Sequence, residues 1–220
     1  IQLNEDSLGS GGPMHRLNPD AADTLPKVQA LLRQGKLPEA EQLALNGLSS
    51  TPCGMRAYQP LGDLILDFDD LPTDADCYKR SLDLETGSLN VRFTVGDAHY
   101  ARETFISYPD GVLVLRLSVD SPQGLSLRCR LNRKRCEKAG HLDDSTTYFT
   151  GNSNGIRYAA AVRLAGYDGG TSRGIGDTLL LCGVKSAVFL LAAATTYREA
   201  FPLQAVTSCL NNAAKQSYDK

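Results

Sequence analysis

The stretch Leu125-Ser126-Leu127-Arg128-Cys129-Arg130-Leu131 decides the fold class. Its apolar residues fall at every second position, and serine or arginine fills the positions between them. A period of two gives one dry face and one wet face, as in a half-buried β-strand. A helix of the same length would spread the leucines around its axis.

Similar patterns on both sides predict strands at 64–68, 90–95, 100–107, 112–119, 156–164, 179–182 and 188–193. Turn chemistry separates them at Tyr108-Pro109-Asp110-Gly111, Ser121-Pro122-Gln123-Gly124, Asp168-Gly169-Gly170 and Gly174-Ile175-Gly176-Asp177. Short strands with turns and no helices between them predict a mainly β fold, an antiparallel β-sandwich. Helical spacing is confined to the two ends. Asn18-Pro19 is a helix start, Leu25, Val28, Leu31 and Leu32 form an apolar stripe, and Gly35 ends it. Pro26 inside that stripe predicts a kink or two short helices. A second helix opens at Pro38 with Ala40, Leu43 and Ala44 on one face. Over 202–220, Leu203, Val206, Leu210 and Ala213 or Ala214 share a helical face with no evident partner helix.

Composition narrows the function. The chain has 220 residues, 42% of them hydrophobic, and a net charge of -2, which fits a globular protein and gives no electrostatic footprint for nucleic acid. The basic cluster Arg128, Arg130, Arg133, Lys134 and Arg135 is flanked by Glu137, Asp143 and Asp144 and reads as a solvated strand end or loop. No apolar run approaches the roughly 20 residues that cross a bilayer. Six cysteines occur without a CxxC pair, and the three histidines lie apart, so neither a metal site nor a cofactor is expected. Disulfides stay open. Cys129 and Cys182 lie among apolar strand residues and read as buried thiols. Gly9-Ser10-Gly11-Gly12 lacks the Lys-Ser/Thr of a phosphate loop.

Several segments in order resemble glycoside hydrolase family 95, the α-L-fucosidases and relatives acting on α-L-galactosides. They are Ile1-Gln2-Leu3-Asn4-Glu5-Asp6-Ser7-Leu8, Ser10-Gly11-Gly12-Pro13 with Asn18-Pro19-Asp20-Ala21, Tyr58-Gln59-Pro60-Leu61-Gly62-Asp63-Leu64, Arg80-Ser81-Leu82-Asp83-Leu84, Tyr100-Ala101-Arg102-Glu103-Thr104-Phe105, Pro109-Asp110-Gly111-Val112-Leu113-Val114 and Leu191-Ala192-Ala193-Ala194-Thr195-Thr196-Tyr197-Arg198. The resemblance implies an N-terminal sandwich of the super-sandwich type at 1–201, with a helical insertion at about 18–46. At 202–220 it implies the start of a linker helix towards an (α/α)6 barrel that would hold the catalytic groups. The expected function is that of a non-catalytic N-terminal domain in an inverting hydrolase of terminal α-L-fucosyl glycans, exported to the periplasm or secreted. The start at Ile1 then reads as a removed leader or a piece of something longer. Two alternatives stay open: a free-standing carbohydrate-binding or interaction module, and a remnant prone to self-association. The family usually has Trp where this chain has Gly9, a ring that could stack on a sugar or pack against the barrel.

The candidate substrate-contacting residues are Asn4, Glu5, Asp6, Tyr58 and Gln59. Short polar side chains in a loop can serve sugar hydroxyls, or close a turn by binding their own backbone. Tyr58 and Gln59 could contact glycan, or anchor a strand entry set by Pro60. The acidic groups Asp67, Asp69 and Asp70, and Asp143 and Asp144, read as solvated surface. His99 reads as a structural histidine, and Phe93, Phe105 and Phe189 as core.

Overall fold

A computed structural model describes residues 1–12, 14–54, 56–69, 75–216 and 218. The chain divides into two compact units, residues 11–57 and the remainder. Asp70 and Pro13 of the motifs above lie outside the described residues.

The smaller unit is a helical hairpin of α1 (Ala21–Arg33) and α2 (Leu37–Gly47). Asn18 precedes it with both ends of its amide engaged: Oδ1 accepts the Asp20 N–H at 3.0 Å, and Nδ2 donates to the carbonyls of Asn46 and Ser49. Pro26 does not split α1, which runs on as one helix. The proline lies in the second turn and forfeits only its own N–H bond back to Ala22. The predicted stripe is corrected. Thr24 and Val28 are buried, whereas Leu25 and Leu32 are exposed, because the face is set by contact with α2. A Cβ at Gly47 would lie 2.3 Å from Thr24 Oγ1, so the helices touch there without a side chain between them.

The larger unit carries, among the described residues, thirteen strands and one helix. The strands are β1 (Gln2–Leu3), β2 (Gly62–Phe68), β3 (Asp76–Asp83), β4 (Ser88–Val95), β5 (Ala98–Ser107), β6 (Val112–Asp120), β7 (Leu125–Asn132), β8 (Lys138–Asp143), β9 (Thr146–Ser153), β10 (Ile156–Asp168), β11 (Thr171–Ile175), β12 (Thr178–Val184) and β13 (Ser186–Thr195); α3 (Pro202–Ala213) follows. They form a five-stranded sheet, β1-β2-β7-β12-β11, and an eight-stranded sheet, β3-β4-β5-β6-β13-β10-β9-β8. Every pairing is antiparallel. This is the antiparallel β-sandwich that the alternation predicts.

In β7, Leu125, Leu127, Cys129 and Leu131 are all buried. They meet the inward residues of the larger sheet, among them Leu115, Leu117, Phe149, Tyr158, Val162 and Phe189. The outward positions Arg128 and Arg130 pair with Asp69 at 2.5 Å and Asp67 at 3.5 Å. The described part of the acidic strand end and part of the basic cluster therefore answer each other. Burial raises the Cys129 thiol to about 12. Cys182 departs from expectation and is exposed. It shares the outer parity of β12 with Leu180, and the register shift between Leu181 and Val184 returns the chain to the core only afterwards.

β6, β13 and β10 are apolar on both faces because α3 covers their outer side. Val206, Leu210 and Ala213 pack on Val112, Val114, Ala159, Ala161, Leu190 and Ala192. The predicted helical face thus finds a sheet as its partner. Two cross-strand alanine pairs, Ala159–Ala194 and Ala161–Ala192, make a low floor beneath it, while Ala160–Ala193 between them faces the core between the sheets. Phe93 and Phe189 are buried as expected; Phe105 is partly buried beside α3. Phe93 stacks on Tyr100 with centroids 4.9 Å apart. His99 is exposed on β5. No helix among the described residues is long and apolar enough to cross a membrane.

Candidate functional site

The Asn4-Glu5-Asp6-Ser7 loop leaves β1 and returns at the bridge between Gly9 and Tyr58. Leu3 and Leu8 are buried on either side and pin its ends to the core, leaving Asn4 and Asp6 exposed between them and Glu5 and Ser7 half-buried. The turn closes through Leu8 N–H to the Glu5 carbonyl at 3.1 Å.

Glu5 collects the donors. Its carboxylate accepts the Ser7 N–H at 2.9 Å and the Ser7 hydroxyl at 2.7 Å. Ser7 has one hydroxyl proton, so with that proton directed to Glu5, the 2.5 Å contact to Thr195 Oγ1 has Thr195 donating. Thr195, buried at the end of β13, accepts in turn from the Tyr197 N–H at 3.2 Å. The whole chain of bonds points at the Glu5 carboxylate, and the Tyr58 hydroxyl donates to the Glu5 carbonyl at 3.0 Å. The Asp6 carboxylate accepts from both terminal nitrogens of Arg198 at 2.7 Å each. The same guanidinium stands 3.7 Å from Glu5.

Glu5, Asp6 and Tyr58 therefore come together, and the glutamate closes its own turn. Asn4 is exposed. Gln59 is separate: its N–H bonds to Leu8, and its side chain lines another cavity, beside Arg133. Thr195 and Arg198 were missed as site residues. They lie within the Leu191-to-Arg198 motif, but 188 and 192 residues from their partners, and no spacing rule spans that distance. A pocket of about 230 Å³ opens between the loop and α3, with Glu5, Arg198 and Glu199 on its polar side and Ala192, Ala194 and Val206 on its apolar side.

The bidentate bond from Arg198 holds the Asp6 carboxyl below the usual carboxylate range. A group whose folded value is depressed contributes stability above its unfolded value, and that contribution is lost as pH falls through the folded one. The pair is exposed, so the effect is small and salt-screened. Asp6→Asn is accordingly expected to lower stability slightly at neutral pH and not at all in acid. Denaturant titrations of both proteins, repeated from neutral pH down to where Asp6 is protonated, would show the difference shrinking; a constant difference would remove the ion pair as its source. Among the described residues no group of three or more His, Cys, Asp or Glu is placed to hold a metal ion.

Two antiparallel sheets, a helix laid on the larger one and a polar loop tied across to the last strand define an all-β domain of the β-sandwich class. Residues 1–200 match the family described as "Glycosyl hydrolase family 65, N-terminal domain", and the chain belongs to that family. It is 35% identical over 131 residues to "Alpha-L-fucosidase 2" of Arabidopsis thaliana, a match covering 58% of this chain and 15% of the relative. It is also 35% identical over 128 residues to "Probable alpha-fucosidase A" of Aspergillus niger, covering 55% of this chain and 15% of that relative. The matched part spans 15% of the length of each of these relatives. Both are named as fucosidases, the class that the sequence motifs resemble.

Proposed function

We propose that this chain is the non-catalytic N-terminal sandwich of an α-L-fucosidase-like glycoside hydrolase that removes terminal α-L-fucosyl residues with inversion. The catalytic groups would lie in an (α/α)6 barrel beyond these 220 residues, reached through α3, and the enzyme would be periplasmic or secreted. The observation that carries the reading is the family match over residues 1–200 together with two relatives named as fucosidases.

The chemistry of the loop supports a positioning role. An inverting hydrolase needs one carboxylic acid kept protonated, with its pKa raised, and a separate carboxylate for the water. Asp6 is shifted the opposite way, and Arg198 ties it beside Glu5. Gln59 would meet glycan only from the separate cavity beside Arg133, while Asn4 would offer its amide to sugar hydroxyls, with Glu5, Asp6 and Tyr58 holding the loop. The adjoining pocket, about 230 Å³, is below the ~300–1,000 Å³ of pockets for larger ligands and would suit one sugar ring.

A second reading, a carbohydrate-binding module, is favoured by the Tyr78–Phe93–Tyr100 stack, whose outer ring Tyr78 is exposed. One assay separates the two. The 220-residue chain and the complete product of its gene are each incubated with a chromogenic α-L-fucoside and a fucosylated oligosaccharide. Only the longer product should release fucose. Release by the short chain at enzyme-like rates would overturn the proposal; saturable binding by the short chain, with no activity in a longer product, would establish the module.

A further inference from the structure

Five cationic residues crowd positions 128–135, and the fold uses them unequally. Arg128 and Arg130 are engaged by Asp69 and Asp67. Arg133 is built into the framework: its guanidinium donates to the carbonyls of Pro60 and Leu61 and lies 4.3 Å from the centre of the Tyr158 ring. Lys134 and Arg135 are exposed, and neither has an acidic partner among the described residues.

These last two line a cavity of about 320 Å³ with Arg133. The remaining polar side chains of its wall are the amides of Gln2, Gln59 and Asn132 and one carboxylate, Asp63. Arg133 Nε is buried and has no acceptor. That nitrogen is out of solvent's reach and contacts no ligand itself, but among the described residues the guanidinium is met by neutral carbonyls and a ring, so its positive charge stays uncompensated beside the cavity. Three cations against one carboxylate, amides able to donate, and no aromatic ring among the lining residues are a poor match for a bare sugar face. They match an anion with several acceptor oxygens.

We propose that this cavity binds an anionic substituent of a glycan, a sulfate ester or a uronate carboxylate, so that charged oligosaccharides are the ligand class of this domain. Lys134 and Arg135 supply the mobile contacts, Arg133 the fixed positive charge, and Gln59 a neutral donor. The inference rests on the reading of the chain as a glycan-handling domain, but it is tested by binding alone.

The test is calorimetric titration of the 220-residue chain at low salt. The ligands are a sulfated fucose oligosaccharide, its desulfated counterpart, a uronate-containing oligosaccharide and sodium sulfate. One or both anionic oligosaccharides should bind saturably, the two arms naming the substituent, and affinity should fall as salt rises. The desulfated ligand should not bind. Lys134→Gln with Arg135→Gln should weaken binding about tenfold or more, the loss expected for two charge-assisted contacts. Arg128→Gln with Arg130→Gln, at the paired arginines, should leave it within about twofold, because those charges are already neutralised. Equal binding of the desulfated ligand, indifference to the Lys134 and Arg135 changes, no anionic ligand bound, or sulfate ion alone binding as tightly as the oligosaccharide would each overturn the proposal. Fucose release by the longer product is read separately, so failure of this site leaves the hydrolase reading standing, and the reverse holds too.

Discussion

Phe189→Ala is expected to cost about 3–5 kcal/mol of folding stability, the range for removing a buried aromatic ring. Phe189 is 1% exposed, in the interior strand β13, with Leu115 of β6 on one side and Leu164 of β10 on the other in the ladder. Both neighbours are locked by backbone bonding, so the sheet cannot close over the vacated space. The facing sheet is held in the same way by β2 and β12. Most of the ring's volume should therefore remain as a cavity. Phe105→Ala, at a partly buried ring beside α3, should cost less. Urea titration measures both, and a loss under about 1 kcal/mol at Phe189 would contradict the close packing of the two sheets.

Gly170→Ala should be the most damaging of the small backbone changes. Gly170 has φ +59°, and an added Cβ would meet the Cys182 carbonyl oxygen 2.2 Å away and the Gly183 carbonyl carbon 2.6 Å away. Left-handed backbone alone costs an alanine about 1–2 kcal/mol. The contact adds to this, because the obstructing atoms are main chain in the β11–β12 ladder and cannot swing aside. A total of about 3 kcal/mol or more is expected, with loss of the β11 edge as the alternative way to relieve the clash. Gly87→Ala is the control: φ is +69° and nothing lies within 4 Å, so only the conformational part should appear. Equal losses at the two sites would mean that β11 relaxes freely.

The sandwich was legible wherever a strand has one dry face or two. β7 declares itself through strict alternation, β13 through the unbroken apolar run Ala187 to Ala194, and β6 through the run Val112 to Leu115 before Arg116 and Ser118 restore alternation; both runs are explained once α3 is seen on their far side. The missed strands are instructive. β3 and β8 are largely exposed edge strands carrying Lys79, Arg80, Lys138 and His141; no buried face imposes a pattern on them, and charge there discourages further pairing. β9 was hidden for the opposite reason. Thr146, Thr147, Tyr148 and Phe149 are all buried, so the threonines read as polar while serving inside; the Thr147 hydroxyl, for one, bonds to the Gly140 and Asp177 carbonyls. β11 reads as part of a turn in the sequence because Gly174 and Gly176 bracket its end. At the candidate site, the loop residues were visible as a polar run between two leucines. Their partners were not, since Arg198 and Thr195 are adjacent to them only in space. Cys182 departs from expectation because the unbroken apolar run Leu179 to Cys182 does not show which parity faces the core.

The tie between the first loop and the end of β13 also bears on the order in which the molecule assembles. Ser7 meets Thr195 across 188 residues, and Asp6 meets Arg198 across 192. Contacts of such range can form only after most of the intervening chain has been gathered, since closing so long a loop has an entropic cost that short hairpins avoid. Hairpins such as β4–β5 and β9–β10 need no such gathering. The polar rim is therefore expected among the last parts of the domain to take shape, because it needs the end of β13 in place beside the first loop. A nascent or clipped chain ending short of Thr195 would hold all five candidates in sequence and could still close the Glu5–Ser7 turn, yet would lack Arg198 to fix Asp6 and Thr195 to tie the loop to the sheet.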